Sequence, residues 1–330
     1  MIVRTFAALV LAMLVFSTTL IEAKADQGLN APSLAVGLYR PEFPDRLSSL
    51  DAYEQGGASR MALVHWYALW GGWKSAFNAA DLEAVRRRGS VPMITWEPWA
   101  GTPADASWTL NARILSGASD AYIRSWARGL AAYGGPVMLR FAHEMHDQSY
   151  PWAVGVNGNT ADQYVAAWRY LHAVFAEERA TNVRWIWNPN TMPGTRRAKY
   201  EEIYRSVYPG NDVVDWAGLD IYNGGSALDG WGGWRTFGEA LADPYDAVRA
   251  VADKPVILGE VGSAETGGAK AEWIRSAFAD LLSARFAAVR AMVWFDVDKE
   301  ERWALHSSQP ALTAWMGALR AGNAQTGQGL

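Results

Sequence analysis

"PVMLRFAHEMHDQSYPW", residues 136–152, is the stretch on which the fold turns. Pro136 to Ala142 is apolar except for Arg140, as a strand buried on both faces of a parallel sheet must be. His143, Glu144, His146, Asp147, Tyr150 and Trp152 then crowd the point where strand gives way to loop. Similar β-rich runs occur at Leu34 to Tyr39, Met61 to Tyr67, Val91 to Glu97, Val183 to Asn188, Trp216 to Tyr222, Pro255 to Val261 and Ala291 to Phe295. Between them lie helix-like stretches: Ala80 to Arg88, Asp120 to Tyr133, Ala161 to Glu178, Lys199 to Tyr208, Phe237 to Val251, Ala269 to Ser283 and Ala311 to Arg320. Eight strands alternating with helices predict an α/β fold, a closed (β/α)8 TIM barrel in one domain, with helices outside the sheet and layered side chains inside it.

The chain of 330 residues opens MIVRTFAALVLAMLVFSTTLIEAKADQ. Arg4, the apolar run from Phe6 to Phe16 and Ala23-Lys24-Ala25 have the layout of a secretory signal with its cleavage site. Ser17, Thr18 and Thr19 interrupt the run before it reaches the roughly 20 apolar residues of a membrane span. Residues 1–25 are therefore expected to be removed, leaving a secreted or periplasmic chain without a membrane anchor. Residues 26–320 are expected to form the barrel, and residues 321–330, AGNAQTGQGL, a flexible tail, being small, polar and aperiodic. With no cysteine, disulfides and thiolate metal sites are excluded. The formal net charge of −4, and the absence of any basic patch, exclude nucleic acid and anionic lipid as partners. The 18 tryptophans point elsewhere, because a flat amphipathic ring stacks on a sugar face. A polysaccharide is the expected partner, and the chain is expected to act as a monomer.

Active sites of such barrels lie where strands end. The fourth strand ends in His143-Glu144 and the seventh in Gly259-Glu260. Period-two alternation puts Met138, Arg140, Ala142 and Glu144 on one side of the fourth strand, and Val256, Leu258 and Glu260 on one side of the seventh. Two glutamates then point into one barrel mouth. Glycoside hydrolysis needs such a pair, one carboxyl protonated to donate to the leaving oxygen and one ionised, either to attack the sugar or to activate water. Arg140, one layer below, is placed to hold a carboxylate ionised.

R-x-x-H-E-M followed by Y-x-W, G-E-V-G at the seventh strand and W-F-x-V-D at the eighth resemble glycoside hydrolase family 26, the clan A family of β-mannanases and mixed-linkage β-glucanases. The resemblance runs from Val36 through Trp303. It implies that Glu144 is the acid/base and Glu260 the nucleophile. It implies further that His143 is the family's histidine before the acid/base, that Tyr222 hydrogen-bonds the nucleophile, and that Trp294 is a sugar platform. A retaining mechanism is also implied, with the carboxylates about 5 to 5.5 Å apart, acting on β-1,4 linkages and needing no cofactor. Family members commonly read H-E-M-N-G-x-W where this chain has His146, Asp147 and Ser149 in the last variable positions. That departure leaves a second reading open, a catalytically silent carbohydrate-binding protein that assists export or modification of a cell-surface polysaccharide.

Among other residues, His65, Trp66, Trp70, Trp96, Trp99, His146, Tyr150, Trp152, Asn188, Trp231, Trp234 and Trp294 fall at or after strand ends and are candidates for sugar contact. Trp126, Trp168, Trp273 and Trp315 fall in helices and are expected in the core. His143 and His146 are three apart at a strand end, not four apart on a helix as a zinc motif requires, so no metal is expected. Asp296, Asp298 and Glu300 are read as a solvated acidic loop that lacks the glycine and closing glutamate of a calcium site.

Overall fold

The computed structural model describes residues 34–54, 60–99 and 109–325. The expected signal segment and residues 326–330 lie outside these. Eight parallel strands follow in order: β1 (Leu34–Tyr39), β2 (Leu63–Leu69), β3 (Val91–Glu97), β4 (Val137–Phe141), β5 (Val183–Trp187), β6 (Trp216–Asn223), β7 (Val256–Ser263) and β8 (Val289–Phe295). Because β1 pairs with both β2 and β8, the sheet closes into the expected (β/α)8 barrel. The helices between are α1 (Asp51–Glu54), α2 (Ala79–Arg87), α3 (Asp120–Tyr133), α4 (Ala161–Glu177), α5 (Arg197–Ser206), α6 (Phe237–Val251) and α7 (Lys270–Leu281), with α8 (Gln309–Ala318) after β8. Only α1 went unread, a single turn too short to show a period. Thr160 with Gln163 and Thr236 with Glu239 close capping boxes that start α4 and α6, each side chain satisfying the other's free N–H. Within the stretch read as a tail, Ala324–Gln325 pairs with the first residues of β1.

Alternation sorts the strand residues into two layers. Leu63, Met93, Met138, Ile186, Trp216, Ile257 and Val293 point inward and pack the barrel floor. Val64, Trp66, Ile94, Trp96, Leu139, Phe141, Trp187 and Trp294 point outward beneath the helices, where Trp126, Trp168, Trp273 and Trp315 meet them. Above the floor the interior turns polar, with His65, Thr95, Arg140, Asn188 and Asp220 all buried. Two glycines make room for this layer. A Cβ on Gly218 would lie 2.1 Å from Asn188 Oδ1, and one on Gly259 would lie 2.4 Å from the same atom and 2.8 Å from Arg140 Nη1.

The alternation expected for the two glutamate strands breaks twice. β4 ends at Phe141, and Ala142 belongs to the outer layer rather than sharing a face with Arg140. Glu144 reaches the mouth through a left-handed backbone, with φ of 44° at Ala142 and 49° at Glu144, a conformation costly for residues with a side chain. In β7, Val256 and Leu258 face outward. The register slips between Leu219 and Asp220 on β6 and after Leu258 on β7. This bulge at Gly259 inserts one extra residue, and so turns Glu260 to the inside although Leu258 faces out.

Candidate active site

Glu260 is gripped by three donors. Tyr67 Oη and Arg140 Nη2 each lie 2.5 Å from Oε1, and Tyr222 Oη donates to Oε2 at 2.7 Å. Burial alone would raise this carboxyl, but the Arg140 charge and the three hydrogen bonds outweigh it and hold the pKa below the ordinary value. Tyr67 and Tyr222, buried beside a negative charge, stay phenols far above their usual range. Arg140 is itself fully buried, which is tolerable only because its fork is filled. Nε donates to Thr95 Oγ1 at 2.7 Å and Nη1 to both oxygens of Asp220 at 3.0 and 3.1 Å.

Glu144 is in the opposite state. Burial first, then the charges of Asp220, Glu260 and Asp147, push its pKa well above the carboxylate range, and its carboxyl hydrogen-bonds Asp220. Asp220 has Arg140 to favour its charged form, so the proton of this coupled pair belongs on Glu144. One cleft therefore presents an ionised carboxylate on β7 and a protonated carboxyl after β4.

That cleft has a volume of about 1110 Å³. Of the residues read from the sequence, Glu144, Glu260, Tyr222, Trp99, His146, Tyr150 and Trp231 line it. His143 lies just beneath, its Nε2 3.3 Å from Tyr150 Oη and 3.8 Å from Glu260 Oε1, and burial holds it neutral. Several candidates are elsewhere. Trp66, Trp96 and Trp294 occupy outward strand positions and are core, so Trp294 is no platform; Trp70 packs on Trp96 and Tyr122. Trp152 is buried behind Tyr150, stacked at 4.5 Å, and donates to the His143 carbonyl. Trp234 lies over Gly268, outside the cleft wall. His65 bonds Thr95 Oγ1 at 2.6 Å, one layer below the cleft, and Asn188 fills the space left by Gly218 and Gly259. The acidic loop is only partly solvated, since Asp296 is buried and receives Arg40, Tyr53 and the Leu305 N–H.

The structure adds residues that the sequence reading missed. Glu97 ends β3 inside the cleft, the same signal that singled out Glu144 and Glu260. Tyr67 and Asp220 sit at inward positions of β2 and β6. Phe295, the inward neighbour of Trp294, lines the wall, as do Trp73, half-exposed at the rim, and Lys299, paired with Glu300 at 2.7 Å. Lys270 holds the β8–α8 loop from behind, donating to the carbonyls of Arg302, Trp303 and Ala304 and to Ser307 Oγ.

Known proteins agree with this architecture. Residues 102–235 match the family description Glycosyl hydrolase family 26. Endoglucanase H of Acetivibrio thermocellus is 34% identical over 285 residues, which cover 84% of this chain and 29% of that protein. Mannan endo-1,4-beta-mannosidase A and B of Caldalkalibacillus mannanilyticus is 30% identical over 138 residues, 40% of this chain and 23% of that protein. This chain thus spans well under half the length of either. Among solved structures, an endo-beta-1,4-mannanase double mutant of Cellulomonas fimi superposes with a TM-score of 0.68 at 17% identity, covering 90% of this chain and 73% of that one. A GH26 beta-mannanase of Bacteroides ovatus does so with 0.61 at 15% identity, covering 90% and 91%. These two likenesses share the barrel. The strand-end motifs, the family match over residues 102–235 and the endoglucanase relative over 84% of this chain agree in their likeness to glycosyl hydrolase family 26.

Proposed function

We propose that this chain is an exported, retaining endo-β-glycanase that cleaves β-1,4 linkages within a polysaccharide. The observation that carries the reading is the opposite protonation of two carboxyl groups in one cleft, Glu260 ionised and Glu144 protonated. In the first step Glu260 attacks the anomeric carbon, and Glu144 gives its proton to the departing glycosidic oxygen. In the second step Glu144, now a carboxylate, takes a proton from water, whose oxygen displaces Glu260 and returns it to the anionic form. Once Glu260 is esterified its charge no longer raises Glu144, which favours that change of role. Tyr67, Tyr222 and Arg140 orient and stabilise the nucleophile in both steps.

The endoglucanase relative covers more of this chain than the mannanase does, which favours a β-glucan, including mixed-linkage glucan, over β-mannan. Trp73, Trp99 and Trp231 along the cleft suit a chain gripped at several sugars. Export rests on the N-terminal sequence, and action as a monomer is part of the same reading. Reducing-sugar release from a panel of glucans, mannans and xylans tests it, with proton NMR of the first product. Short oligosaccharides with an initial β-anomer are expected. No release from any polymer would sink the proposal, and an initial α-anomer would make the enzyme inverting.

A further inference from the structure

Among the described residues, Glu97 is the one carboxyl on the cleft wall, beside Glu144 and Glu260, that comes from the end of a barrel strand and has no part in the steps above. It is 6% exposed and fixed from two sides. Glu97, Pro98 and Trp99 make a tight turn in which the Trp99 N–H reaches the Glu97 carbonyl at 2.8 Å, and this puts both side chains on one side of the chain. Trp99 Nε1 then donates to Glu97 Oε2 at 3.1 Å. The loop after β2 locks the turn, with Trp70 N–H on the Glu97 carbonyl at 2.9 Å and Gly71 N–H on the Trp99 carbonyl at 3.1 Å. Oε1 is left over. His143 Nδ1 is 4.0 Å away, beyond hydrogen-bond reach, and none of the described residues donates to it. A carboxyl this deep with half its acceptors unused is costly unless something else fills them. Burial pushes it up to about 7, the mark of a group stripped of water without a full set of partners.

His143 lies between this group and the nucleophile, Nδ1 toward Glu97 and Nε2 toward Glu260. A sugar whose anomeric carbon faces Glu260, or the next sugar on its glycone side, can therefore present a hydroxyl to Glu97. We propose that Glu97 is a specificity-determining residue, its free Oε1 hydrogen-bonding one hydroxyl of the glycone while Trp99, tied to its other oxygen, forms the adjoining stacking surface. The ligand class is a neutral sugar with that hydroxyl unsubstituted. This assignment rests on the glycanase reading, and the test separates the two.

Wild type, Glu97→Gln and Glu97→Ala are assayed on a dinitrophenyl β-cellobioside and on its monodeoxy derivatives, one for each hydroxyl of the two rings. Turnover of the parent by wild type tests the glycanase reading. The pattern across the deoxy series tests Glu97. Glu97→Ala is expected to lower kcat/KM on the parent by about tenfold to a hundredfold, the loss of one hydrogen bond to a charged group. That loss should shrink at least tenfold on the single derivative lacking the recognised hydroxyl. Glu97→Gln keeps the Trp99 bond through its amide oxygen and turns the free position into a donor, so it should fall between, and it carries the test if the alanine variant does not fold. Equal losses across the whole series would overturn the assignment. Should wild type turn over no glycoside, the same comparison is made on oligosaccharide binding by calorimetry, where uniform affinities across the deoxy series refute Glu97 independently.

Discussion

Replacing Arg140 with methionine tests what keeps the nucleophile ionised. The side chain is fully buried between Glu260, at 2.5 Å, and Asp220, at 3.0 Å, so its loss leaves two buried carboxylates without a cation. Two unit charges about 4 Å apart interact by about 4 kcal/mol at an effective dielectric of about 20. At 1.36 kcal/mol per pH unit this corresponds to about three units in the Glu260 pKa. Tyr67 and Tyr222 remain as donors, but burial, the largest upward influence on Glu260, is then opposed by hydrogen bonds alone. In the proposed mechanism the group must be ionised to attack, so activity is expected above its folded pKa and is lost as pH falls through it. The acid limb of kcat/KM, which reports the free enzyme, should therefore move up by about three units, with a loss of about a hundredfold near pH 5. Arg140→Lys keeps a charge but not the planar fork, so its limb should move less. The assay is a pH–rate profile on an aryl glycoside with an activated leaving group, with thermal denaturation run alongside. A limb that stays in place while the rate falls equally at every pH would refute the electrostatic role.

Three further outcomes follow from the same geometry. Glu144→Ala should spare aryl glycosides with good leaving groups and lose about a hundredfold to ten-thousandfold on polysaccharide, whereas Glu260→Ala should abolish both, as kinetics on the two substrates would show. Because burial keeps Glu144 protonated above the carboxylate range, activity should persist past that range and fall as pH rises through the elevated pKa; a profile already falling where free carboxyls ionise would contradict this. Lys270→Met leaves the Arg302 carbonyl without its donor, while the Trp303 and Ala304 carbonyls keep Trp294 Nε1 and the Ser307 N–H; at about 1–3 kcal/mol where no water replaces the ammonium, calorimetry should show Tm lower by about 2 to 5 °C.

How far the sequence carried depends on what kind of order each feature has. Strand positions were legible to within two or three residues, because parallel strands buried on both faces show as apolar runs between polar breaks. Side-chain direction was legible too, where alternation holds. Thr95 and Glu97 on one face of β3 require Trp96 on the other, and the same parity sends Trp66 and Trp294 outward, so counting tryptophans near strand ends without their parity overstated the wall. Glu97 was readable by the rule that found Glu144 and Glu260, but no motif drew attention to it. The register slip at Gly259 and the left-handed turn at Ala142 and Glu144 were not legible, since neither alters composition or periodicity enough to be seen in one chain. Trp73 reaches the cleft through a loop path that local pattern does not encode.

The bulge at Gly259 also bears on how such a protein could change occupation. Drawing that bulge out into regular strand, with Gly259 kept as an ordinary paired residue, would leave the length, composition and packed floor of the barrel almost as they are, yet alternation from the outward Leu258 would then carry Glu260 out toward the helices, away from Arg140, Tyr67 and Tyr222. The walls of the cleft, built on other strands and loops, would still hold sugar. One step of strand register therefore separates a cleft armed with Glu260 from one without it, and the reverse step would set the carboxylate among partners already in place.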